Sequence, residues 1–114
     1  MNFEIKQQGG VAIVKSAVDK LNAALAPELK SHFIAINKDN VNRIVLDMSD
    51  TNYCDSSGLS AILTANRLCK DSSGKFIMCG IQPTVKKMIE IAQLDRVLFI
   101  EDTLPDALAA VKED

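Results

Sequence analysis

Short apolar runs and stretches of helical periodicity take turns along the whole of this chain, and that alternation leaves few folds open to it. Phe3 to Gln7 and Val11 to Lys15 read as extended segments on either side of Gly9-Gly10, a glycine pair able to take the positive φ angles of a tight hairpin turn. Pro27 suits the first position of a helix, in which Ala26, Leu29, Phe33 and Ile36 recur at three- and four-residue steps. His32 falls off that stripe and is expected to be exposed. Arg43 to Met48 is the next strand, followed by Asp55-Ser56-Ser57-Gly58 and a helix with Leu59, Ile62, Leu63 and Cys69 inward and Ser60, Thr64 and Arg67 outward.

Ser72-Ser73-Gly74 then reads as a turn, and Lys75 to Cys79 as a strand ending at Gly80. Pro83 opens another helix, with Val85, Met88, Ile89 and Ala92 on one face. Val97 to Ile100 is the last strand, and Thr103 caps a final helix whose Leu104, Leu108 and Val111 form a short seam. The order β-β-α-β-α-β-α-β-α predicts an α/β fold with about four helices. Its sheet is mostly parallel, with right-handed crossovers and an N-terminal antiparallel hairpin at its edge. Functional loops of such sheets gather at the carboxyl ends of the strands, where residues 50–58 belong.

Composition narrows the function. A chain of 114 residues, 47% apolar, is expected to form one domain over residues 1–114. Its apolar runs are too short to cross a bilayer, and Met1-Asn2-Phe3-Glu4-Ile5 lacks the basic start and apolar core of a leader, so the chain is expected in the cytoplasm, without membrane insertion. A net charge of −2 gives no footprint for direct nucleic-acid binding, and Lys86-Lys87 reads as a solvated helix face. Cys54, Cys69 and Cys79 have no C-x-x-C spacing and no nearby histidine, so neither zinc nor a disulfide framework is expected. Cys69 and Cys79 read as core residues, and Cys54 is the one thiol whose position makes oxidation consequential.

The enzyme readings fail on missing parts. There is no G-x-G-x-x-G, no Walker-type loop and no G-x-S-x-G elbow, so no cofactor is expected. A hydrolase using Ser57 would need a base, and His32 is the sole histidine, on a different helix. Asp47, Asp50 and Asp55 invite a Mg²⁺ reading. Strand, turn and helix-cap roles account for them, and no metal site is assigned.

The run Asp55-Ser56-Ser57-Gly58-Leu59 stands out by its place. Ser and Asp cap helices well, and a helix N-terminus offers free N–H groups and a positive dipole end, so a serine there can carry a phosphate without disrupting the helix. A plain N-cap is the other reading of the run. Position alone leaves Ser56 and Ser57 both open as the acceptor.

The strand Ile44 to Met48, the Asp55 to Leu59 run, Gly74-Lys75, Cys79-Gly80-Ile81 and the closing Leu94 to Ala107 pattern together resemble the STAS family, and within it the bacterial anti-sigma factor antagonists. The resemblance covers essentially the whole chain and implies a partner switch. In such a switch the unphosphorylated antagonist binds an anti-sigma factor that is also a serine kinase, freeing a sigma factor for transcription. The kinase then phosphorylates the motif serine, and a PP2C-type phosphatase resets it. Carried onto this chain, the resemblance makes Ser57 the phosphoacceptor, with Ser56 the second choice, and gives Asp55, Ser56, Gly58 and Leu59 to the partner-binding loop. Ser60, Thr64 and Arg67 would continue that face. Many relatives carry an aspartate just before the first helix, in a G-x-L-D-type run. The aligned residue here is read as Asn22, which the resemblance counts among the partner-binding residues and which keeps the capping ability but carries no charge, with Asp19 able to substitute for that carboxylate.

Two other functions stay in view. A STAS-like docking subunit of a membrane transporter or lipid-transport ATPase has no physical need of a phosphoacceptor at the helix start. A small hydrolase would need a base near Ser57.

Overall fold

The computed structural model describes residues 1–113 and bears out the α/β expectation. The elements are β1 (Phe3–Gln8), β2 (Val11–Ser16), β3 (Lys20–Leu21), α1 (Ala26–Lys38), β4 (Arg43–Asp47) and β5 (Tyr53–Cys54). They continue with α2 (Ser56–Asp71), β6 (Lys75–Cys79), α3 (Pro83–Ile91), a 3-10 turn (Leu94–Arg96), β7 (Phe99–Glu101) and α4 (Leu104–Val111). The main sheet runs β1-β2-β4-β6-β7, antiparallel only between β1 and β2. Gly9 and Gly10 make the hairpin turn at φ +57° and +80°.

Both faces of the central strands are covered, and alternate side chains divide between two cores. Ala12, Val14, Ile44, Leu46, Phe76 and Met78 join α1, α2 and α3 in the larger core. Val11, Ile13, Val45, Ile77 and Cys79 meet α4 alone, through Ala107 and Val111. Full burial of a side chain of this size contributes about 1.5–3 kcal/mol, so near-continuous apolar strands are what a sheet buried on both sides requires. Phe33 of α1 meets Phe76 of β6 edge-on, with ring centroids 5.8 Å apart.

Three local expectations change. Val97 and Leu98 belong to the segment entering the last strand, because the chain first turns through Leu94–Arg96. Leu98 is buried while Val97 is exposed, so the apolar run marks where the chain inserts and not where it is extended. His32 is half-buried, its ring edge-on to Phe3 and its Nε2 3.8 Å from the Glu28 carboxylate. β3 and β5 form a separate two-stranded parallel sheet, pairing Lys20 with Tyr53 and Leu21 with Cys54. A buried hydroxyl relay holds that small sheet in place. Ser16 donates to Thr51 Oγ1 at 2.7 Å, and Thr51 Oγ1 donates to the Val18 carbonyl at 2.6 Å.

Candidate functional site

The small sheet delivers the chain to the start of α2. Asp55 follows β5 in an extended conformation, donates its N–H to the Leu21 carbonyl at 3.2 Å, and accepts the Gly58 N–H on Oδ1 at 3.0 Å. It is therefore the N-cap, and its charge lies against the positive end of the helix. The N–H groups of Ser56 and Ser57 remain at the mouth of the helix. Ser56 is exposed, Ser57 half-buried, and neither hydroxyl hydrogen-bonds another protein group among the described residues.

Gly58 is required by packing. A Cβ at this position would lie 2.6 Å from the Leu21 carbonyl oxygen and 2.6 Å from Cys54 Sγ, so the first turn of α2 can lie against β3 and β5 only without a side chain here. Leu59, 8% exposed, belongs to the larger core. These two residues fix the loop from beneath, and the accessible part of the run is Ser56 and Ser57.

Thr64 corrects the sequence reading. It is 6% exposed where an outward position was expected, and its hydroxyl donates to the Ser60 carbonyl at 3.0 Å. Thr64 continues the Ser57, Ser60 and Ala61 stripe along which α1 packs, and the bond back to the preceding turn satisfies its hydroxyl where it is covered. Ser60 and Arg67 are exposed as expected.

Asn22 caps the turn ahead of α1. Its Oδ1 accepts the Ala24 N–H at 3.1 Å and its carbonyl accepts those of Leu25 and Ala26, while α1 itself has no side-chain cap. The carboxylate tied to the segment before the serines is Asp19, whose Oδ1 accepts Asn52 Nδ2 at 2.8 Å. Asp50 pairs with Lys15 at 3.5 Å and Asp47 accepts the Ser49 N–H at 3.0 Å, so the three neighbouring aspartates serve an ion pair, a turn and a cap.

Between α1 and α2 lies a groove of about 440 Å³. Ala26 and Ala61 are its buried floor, Pro27 and Lys30 its α1 bank, and Ser57 and Ser60 its α2 bank. The α1 contribution was missed in the sequence, because Lys30 lies far from Ser57 along the chain and sits on what reads as an ordinary solvated helix face. Small floor residues let the two helices approach while leaving the serine hydroxyls accessible, and among the described residues Lys30 is the only charged side chain that lines the groove.

Cys54 is unsuited to redox chemistry. It is fully buried, and burial, aided by the Asp55 charge, pushes its thiol from an ordinary 9.0 up to about 12. Its reactive thiolate is therefore scarce at neutral pH.

The STAS domain family model matches residues 2–107. The chain belongs to the STAS domain family. This STAS domain is 28% identical to the anti-sigma F factor antagonist of Paenibacillus polymyxa, the match covering 98% of this chain and 96% of the relative. It is 27% identical to a Thermotoga maritima protein of provisional anti-sigma factor antagonist assignment, with a TM-score of 0.89 over 97% of this chain and 95% of that one. It also shares its fold with the phosphorylated form of a Bacillus cell-fate determinant, at a TM-score of 0.75 and 16% identity over 96% of this chain and 99% of that one. Among the described residues, no helix of this STAS domain is long and apolar enough to cross a membrane.

Proposed function

We propose that this STAS domain is an anti-sigma factor antagonist, a binding module without catalysis of its own that is switched by phosphorylation of Ser57. Unphosphorylated, it binds an anti-sigma factor that is also a serine kinase, and so frees a sigma factor. A PP2C-type phosphatase reverses the modification. The carrying observation is Ser57 itself: an accessible, unengaged hydroxyl in the first turn of an N-capped helix, on the bank of a groove opposite Lys30. The antagonist names of its relatives support the same reading.

Phosphate at this position acts locally. It adds about −1.5 to −2 charges at pH 7, which the N–H groups and dipole of the helix start tolerate. The fold therefore stays, and the change is felt by the partner, which must meet a hydrated dianion where it met a hydroxyl. A penalty of about 3 kcal/mol suffices for a hundredfold loss of affinity. Ser56, Ser60 and Arg67 form the accessible surround, with Asp19 and Asn22 shaping the adjoining turns. Mass spectrometry of the chain recovered from its native host across growth phases tests the assignment. Phosphate on Ser57 in a growth-dependent fraction is the expected result, and phosphate confined to Ser56 would refute it.

A further inference from the structure

The far end of α2 carries a second groove, of about 510 Å³, where the helix C-terminus meets the starts of β6 and β7. Lys70, Lys75 and Arg96 line it together with Val97 and Phe99, and no carboxylate among the described residues does. In a chain of net charge −2 this is a local reversal of sign. None of the three cations forms an ion pair among the described residues, and Lys75 Nζ reaches only the Ala110 carbonyl at 3.4 Å. Phe99 is 65% exposed and Val97 48%, on or next to β7, the strand that closes the sheet and pairs only with β6. An open strand edge, exposed apolar side chains and unneutralised cations are thus gathered in one place.

We infer that this groove docks an extended acidic segment of another protein, laid along β7, with an apolar side chain against Phe99 and Val97 and carboxylates at Lys70, Lys75 and Arg96. The open edge supplies backbone hydrogen bonds, the apolar pair anchors the segment, and the cations select its charge. A second copy of this chain brings the same three cations to the contact, which disfavours self-pairing at this groove. Ser57 and Lys70 occupy the first and last turns of one helix, about 20 Å apart at 1.5 Å per residue. That separation exceeds the Debye length of about 8 Å at physiological salt, so docking here is independent of phosphate on Ser57.

The test is titration of the ¹⁵N-labelled full chain with an extended peptide of two acidic residues, Val, Phe and two further acidic residues. A peptide with lysine in place of each acid is the control. Expected are shifts at residues 70, 75 and 96–101 with residues 55–60 unmoved, and an affinity about tenfold lower for the double variant K70E/R96E and for Phe99→Ala. These side chains are exposed, and thermal unfolding of each variant, with the milder K70A/R96A alongside, separates lost docking from lost folding. Equal binding of the lysine peptide, undiminished affinity in folded charge-reversed variants, stronger shifts from oligothymidylate, or Phe99-dependent self-association without peptide binding would each overturn the inference.

Discussion

The two ends of α2 are built to opposite rules. At its N-terminus the groove is floored by alanines, edged by serine hydroxyls and given one cation, Lys30. At its C-terminus the groove carries three cations and an exposed aromatic ring. The first end holds little fixed charge of its own, so one phosphate can reverse its character. The second holds its charge permanently. A helix of sixteen residues, buried along one face against α1 and the sheet, joins them, and it gives no mechanical reason for one end to follow the other.

The largest expected effect breaks or confirms that independence. Phosphate on Ser57 should weaken anti-sigma factor binding about a hundredfold and alter acidic-peptide binding at the far groove by less than about twofold, as read by titration calorimetry. Equal losses at both ends would show that α2 transmits the change. Next comes Gly58→Ala, whose methyl would enter the space of the Leu21 carbonyl and Cys54 Sγ. Urea unfolding should show a loss of about 1–3 kcal/mol, a cost of overpacking confined to the N-terminal end.

Smaller again is Lys30→Glu. It places a carboxylate across the groove from Ser57 and should lower partner affinity about tenfold without moving the unfolding midpoint. The last effect appears only in alkali. Cys54, Cys69 and Cys79 are each pushed by burial from 9.0 up to about 12. The folded chain keeps protons that the unfolded chain releases, so stability from this source is level below about pH 8 and falls as pH rises from 9 toward 12. Replacing the thiols with alanine should flatten that fall in a series of unfolding curves, whatever the cavity costs at neutral pH.

Much of the fold could be read from local pattern. The Gly9-Gly10 hairpin, the strands at 43–47 and 75–79, Pro27 and Pro83 at helix starts, and the Thr103 cap, which accepts the Asp106 N–H at 3.3 Å, all follow from periodicity and turn chemistry. What escaped was non-local. β3 and β5 are two residues each, too short to carry a pattern, and exist because the Ser16, Thr51 and Val18 relay brings their strands together. Thr64 has a polar side chain on a stripe that reads as solvent-facing until α1 is laid along it. Within the site, the cap at Asp55 and the place of Ser57 were legible, whereas the reason for Gly58 and the presence of Lys30 required the fold.

The most direct test of the switch uses Ser57→Ala and Ser57→Glu chains as baits in the native host, with captured proteins identified by mass spectrometry. The account predicts that an ATP-binding anti-sigma kinase is retained by the alanine chain and lost, or at least tenfold depleted, with the glutamate chain. Equal recovery of a membrane transport complex by both would contradict it and leave Asp55 to Gly58 as a helix start and nothing more.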